Sequence, residues 1–103
     1  MSDIARGQVW DYRGISHTRR VLVVSTDALN DAGYPVIVEV TSIQPGNPAL
    51  KLLSVDLGPQ LGGYARSRSI ADADPKRFEL LIGTAPAHLM DQVDAALRAA
   101  LAL

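Results

Sequence analysis

The chain has 103 residues, 48% of them hydrophobic, with a formal net charge of -1 and no cysteine. This makes it one folded domain, residues 1–103, and excludes a disulfide framework, a thiolate metal site and a cysteine nucleophile. Charge this close to balance creates no global field toward nucleic acid, and no apolar run approaches the roughly 20 residues that span a bilayer.

The charge is unevenly placed. Between Arg13 and Arg20 stand three arginines and His17 with no acid, whereas acids outnumber bases from Asp72 onward. Arginine supplies eight of the ten cations, and its planar fork suits phosphate better than the point charge of lysine. Residues 1–7 are polar and charged, unlike a signal peptide or an anchor. The expected setting is the cytoplasm, with no membrane contact.

Gly7-Gln8-Val9-Trp10-Asp11-Tyr12 is the first predicted strand, its valine and aromatics suited to a half-buried pleated surface. Trp10 reads as a core or interface anchor. Gly14 permits a tight turn through Ile15-Ser16-His17-Thr18. Arg19-Arg20-Val21-Leu22-Val23-Val24-Ser25 then reads as a strand buried on both faces. Its two leading cations could hold a phosphate or carboxylate at a defined place.

Ser25-Thr26-Asp27 predicts a capped helical turn through Asn30, broken by Asp31-Ala32-Gly33-Tyr34-Pro35. Strand three is Val36-Ile37-Val38-Glu39-Val40-Thr41. Period two puts the valines on one face and Ile37, Glu39 and Thr41 on the other. Glu39 is then either a solvated outward acid or an acid facing a site. Gln44-Pro45-Gly46-Asn47-Pro48 is a loop, and strand four covers roughly residues 50–55. After the turn-rich residues 57–63, Tyr64-Ala65-Arg66-Ser67-Arg68-Ser69-Ile70 predicts a strand with Arg66 and Arg68 on one face.

Asp74-Pro75-Lys76-Arg77 resembles one helical turn, and residues 78–83 form a last strand. Thr84 offers an N-cap and Pro86 suits the first turn of a helix over residues 86–101. Leu89, Met90, Val93, Ala96, Leu97, Ala100 and Leu101 recur there at helical spacing, so this face packs on the sheet. The whole is a mainly β, α+β domain: a small, strongly curved β-barrel or twisted sheet with a C-terminal helix. No phosphate loop, zinc spacing or nucleophile elbow appears, and no metal or cofactor is expected.

Five segments in order carry a resemblance. Arg6-Gly7-Gln8-Val9-Trp10 is similar to the opening strand of the MazF/PemK family of toxin ribonucleases. Arg19-Arg20-Val21-Leu22-Val23-Val24-Ser25 resembles its Arg-Pro-Val-Leu-Val-Leu-Ser. Val38-Glu39-Val40-Thr41-Ser42 stands at its strand ending in Thr-Ser or Thr-Thr. Residues 63–70 lie where the family has a strand ending Asp-Gln-(Val/Ile). Ile82-Gly83-Thr84 and the apolar positions of the last helix close the match.

The resemblance implies a homodimer with an SH3-like barrel core that binds single-stranded RNA. It also implies metal-independent cleavage by 2′-OH attack, leaving a cyclic phosphate, and a cognate antitoxin that blocks the groove. The family's catalytic arginine falls on Arg19 and its strand-end threonine on Thr41. The first loop is shortened and lacks the family's glutamate. Ser16 takes the place of the loop serine, and His17 that of the acid–base group, a residue type that titrates near neutrality. Thr41 and Ser16 are expected to position the scissile phosphate, and Ser42, Arg13, Arg20, Arg66 and Arg68 are the expected RNA-binding residues. Arg68-Ser69 replaces the Asp-Gln pair and reverses the charge there. Two other readings are a catalytically degenerate dimeric binding module and a gyrase-binding toxin like CcdB. The chain lacks the C-terminal aromatic end on which the CcdB toxins lean.

Overall fold

The apolar run at residues 21–24 is the spine of the molecule. In the computed structural model, which describes residues 3–103, all four of these side chains are buried. They divide between two cores: Leu22 and Val24 join Val9, Val38, Val40 and Ala65, whereas Val21 and Val23 join Ile4, Tyr12 and Ile37. A strand covered on both sides must be apolar at every position, as this one is.

The strands are β1 (Gln8–Arg13), β2 (Thr18–Val23), β3 (Val36–Thr41), β4 (Ser54–Asp56), β5 (Tyr64–Asp72) and β6 (Phe78–Thr84). They form one antiparallel sheet in the order β4-β5-β3-β2-β1-β6. Among the described residues three α-helices accompany them, α1 (Asp27–Ala32), α2 (Pro48–Leu52) and α3 (Ala87–Leu101), with single 3-10 turns at Pro59–Leu61 and Pro75–Arg77. Met90, Val93 and Ala96 of α3 are buried in the larger core, on the face the spacing predicts. Among the described residues no helix is long and apolar enough to cross a membrane.

The α+β class with a C-terminal helix is as expected, but the sheet is not closed into a barrel. The edge strands β4 and β6 do not pair with each other. Leu61 and Ile82 instead pack against the larger core, so closure at this seam depends on side chains and not on a backbone ladder.

Curvature comes from β5. Val38 opposes Ile70, yet the next residue, Glu39, opposes Arg66. Ser67, Arg68 and Ser69 bulge between them, and the Ser67 N–H turns to the Leu53 carbonyl at 2.9 Å. Such a bulge bends a strand and resets its alternation. The first half of β5 can thereby pair with β4 as well as β3.

Two local expectations fail for identifiable reasons. Residues 50–53 are not strand: Asn47 accepts the Leu50 N–H at 3.0 Å and Pro48 occupies the first turn, a capped start that makes α2 and leaves β4 only three residues. Thr84 does not cap α3, because it pairs with Gln8 at the end of β6, and Pro86 is the N-cap.

Candidate active site

The β1–β2 hairpin builds the site's first wall. Arg13 pairs with Thr18 across its neck, and the Gly14 N–H closes the loop on the His17 carbonyl at 3.0 Å. A Cβ at Gly14 would fall 2.6 Å from that carbonyl oxygen and 3.3 Å from Arg19 Nε. The missing side chain therefore lets the turn close and lets the Arg19 guanidinium lie over it. Ser16 and His17 are exposed at the tip, with Ser16 Oγ 3.0 Å from His17 Nδ1.

Register places the rest. Val21 faces Glu39 across β2 and β3. Arg19 and Thr41, each two residues further toward the same end of the sheet, therefore share a face with Glu39. This end opens into a cleft of about 880 Å³. Its walls include His17, Arg19, Arg20, Glu39, Thr41 and Ser42, together with Asp11, Asp56 and Tyr64.

Both arginines of the cleft are paired with acids. Arg20 Nε lies 3.2 Å from Asp11 Oδ1. Glu39 takes two arginines, Arg19 NH1 at 3.5 Å and Arg66 NH1 at 3.0 Å. Arg19 remains the more open cation, its side chain 48% exposed against 33% for Arg20. The Thr41 hydroxyl accepts the Ile43 N–H at 3.2 Å and keeps its own proton to donate.

Arg20 points to the opposite face of β2 and packs over the corner before β5. There Gly62 has φ +100, and a Cβ on it would meet Arg20 Cδ at 2.5 Å. The arginine in the place of the family's proline thus ties β2 to β1 through Asp11 and covers a corner that only glycine can form without strain.

The structure brings Arg19, His17, Thr41, Ser42 and Arg20 into one cleft. Ser16 stands behind His17 and is off the cleft wall. Arg13 lies away from it, exposed, its carbonyl accepting from Arg77 at 3.3 Å. Arg66 and Arg68 line a separate pocket of about 180 Å³ that meets the cleft at Thr41. Asp11, Asp56 and Tyr64 join the cleft without a motif to mark them: Asp56 and Tyr64 come from strands paired at long range, and Asp11 from the register of the β1–β2 hairpin. Glu39 left a legible signal, the shared face with Thr41. Among the described residues no group of three or more His, Cys, Asp and Glu side chains is placed to hold a metal ion.

The family model of the PemK-like, MazF-like toxin of type II toxin–antitoxin systems matches residues 7–101. An endoribonuclease from a mycobacterial species, solved with its cognate antitoxin, superposes with a TM-score of 0.86 at 25% identity, covering 97% of this chain and 96% of that one. A second mycobacterial endoribonuclease gives 0.86 at 25% identity, covering 100% and 95%. The MazE–MazF structure of Deinococcus radiodurans gives 0.81 at 24% identity over 97% and 96%, a likeness of fold. No curated protein matches the sequence.

Proposed function

This chain belongs to the PemK-like, MazF-like toxins of type II toxin–antitoxin systems, and from that membership we propose that it is an endoribonuclease that cuts single-stranded RNA in selected sequences. The observation that carries the reading is the placing of Arg19 and Thr41 on one face at the mouth of a single open cleft. In the proposed reaction the ribose 2′-oxygen attacks the adjacent phosphorus and the bond to the 5′-oxygen breaks. A base takes the 2′ proton and an acid protonates the leaving oxygen. The products are a 2′,3′-cyclic phosphate and a 5′-hydroxyl, and no step calls for a metal.

The charge, one of the two proton transfers and the positioning each have a candidate. Arg19 neutralises charge on the phosphorane. His17 transfers a proton, and Ser16 on Nδ1 leaves Nε2 for the substrate. Thr41 and Ser42 position the scissile phosphate with their hydroxyls. Arg20, held by Asp11, adds positive charge beside them. Arg13, Arg66 and Arg68 attract the backbone of the flanking nucleotides. Dependence on the substrate hydroxyl makes RNA, and not DNA, the substrate. The partners are a second copy of the chain and an antitoxin whose acidic, hydrophobic tail folds into the groove.

Purified protein should cleave single-stranded RNA in EDTA and leave cyclic phosphate ends. Arg19→Ala should lower the rate by about a hundredfold or more, with thermal stability almost unchanged because the side chain is half exposed. Intact RNA across a broad panel, from well-folded wild-type protein, defeats the proposal. Full activity in Arg19→Ala shows the site to be elsewhere.

A further inference from the structure

We propose that Glu39 is the positioning residue for Arg19 and that Arg66 anchors Glu39 in that role. The proposal rests on the endoribonuclease reading, in which Arg19 meets the scissile phosphate. The three residues come from three adjacent strands and form a slanted row: Arg66 of β5 stands directly opposite Glu39, and Arg19 lies diagonal to Glu39, two residues before its β2 partner Val21. The β5 bulge begins directly after Arg66, so the row is set by the bend that shapes the sheet.

Glu39 commits each oxygen to a different arginine. Oε1 is 3.0 Å from Arg66 NH1, and Oε2 is 3.5 Å from Arg19 NH1. The shorter contact goes to the more sheltered arginine, whose side chain is 31% exposed against 48% for Arg19. Arg66 is the fixed end of the row and Arg19 the working end.

The way Arg19 is held matters chemically. A guanidinium has five N–H donors in a rigid plane, and Glu39 engages NH1 alone. The edge carrying Nε and NH2 lies toward Gly14, so the plane rests against the β1–β2 turn on one side and meets the carboxylate on the other. The carboxylate and the glycine turn together orient the plane before substrate arrives, and the half-exposed guanidinium still reaches the cleft. An arginine oriented in advance stabilises developing charge without reorganising during the reaction. Arg66 retains its other nitrogens for the pocket it shares with Arg68.

Glu39→Gln keeps the shape and removes the charge. It should lower kcat on single-stranded RNA by about tenfold to a hundredfold, the scale on which misplacing a reacting group acts. KM should stay level or fall, since one negative charge leaves the cleft, and Tm should move by only a few degrees because half-exposed ion pairs add little stability. Arg66→Gln should shift kcat the same way, and the double variant should be no worse than the poorer single one, since residues acting as one unit are not additive. A kcat within about twofold of wild type in Glu39→Gln overturns the proposal, and additive losses remove Arg66 from it.

A readout independent of turnover separates this proposal from its premise. The Arg19 Nε–H resonance in ¹⁵N spectra, assigned with Arg19→Lys, should be sharp in wild type and broadened in Glu39→Gln. An unchanged resonance overturns positioning even if kcat falls, because Glu39 would then act on the substrate itself. A broadened resonance in a protein that cuts no RNA would leave Arg19 positioned by Glu39 and would sink the endoribonuclease reading alone.

Discussion

At the scale of single residues, the candidate site is an arginine whose partners come from other strands. The sequence shows Arg19 at the head of a core strand with no acid in the preceding loop. Its acidic neighbour, Glu39, arrives across the β2–β3 ladder. His17 is different: its exposure and its contact with Ser16 are what a short polar turn leads one to expect. If His17 transfers a proton, His17→Ala should slow cleavage by about a hundredfold or more, the usual scale of general acid–base catalysis, while RNA affinity stays the same. A loss under about tenfold assigns proton transfer to another group. Arg20 shows why residue type does not give role. Two adjacent arginines read alike in sequence, but alternation turns one to the cleft's open face and the other onto Asp11 and Gly62.

At the scale of elements, α1 is held by a buried polar knot. Asn30 is 1% exposed. Its amide donates to the Ser25 carbonyl at 3.3 Å, and its Oδ1 accepts from the Ser25 hydroxyl. That hydroxyl also accepts the Val36 N–H at 2.9 Å, so one side chain joins the end of β2, α1 and the start of β3. Asn30→Ala should cost roughly 1–3 kcal/mol, the penalty for leaving such buried groups unpaired, measured by urea unfolding. A change below about 0.5 kcal/mol, typical of surface positions, would show the knot to be dispensable. In sequence Asn30 is only the last residue of a predicted turn, since nothing local reveals that the turn is covered. The helix boundaries show the same limit. The signal for α2 was present in Asn47-Pro48, a cap followed by proline at the first helical position, but the apolar run after it reads equally well as strand.

At the scale of the whole molecule, the six-stranded sheet curves strongly without closing, and the cleft lies at one end of it. Its arginines, Arg19 and Arg20, share it with Asp11, Glu39 and Asp56, in a chain of net charge -1. RNA binding should therefore depend only weakly on salt. With about two phosphates neutralised per cleft, the slope of log K against log salt should be near -1.4 for single-stranded RNA. Titrating a non-cleavable 2′-deoxy analogue just long enough to fill the cleft, and so too short to reach Arg13, Arg66 and Arg68, at several salt concentrations measures it. A slope steeper than about -3 would require a wider basic surface than the cleft provides.

What the sequence determined by itself is what local period and capping encode. This covers the doubly buried β2, the two-faced β3 with Thr41 at its end, the amphipathic α3, and the order of segments that resembles a toxin family. Side chains two or four residues apart meet the same environment whatever the remote chain does, so these features can be read one window at a time. Only the tertiary structure decided that Glu39 joins Arg19 to Arg66, that Arg20 is a strut on Asp11, that the bulge in β5 moves Arg66 and Arg68 into a pocket of their own, and that the barrel stays open. Each of these depends on the register between strands far apart in the chain. Register is settled by how both cores fill, and no single stretch of the sequence records it.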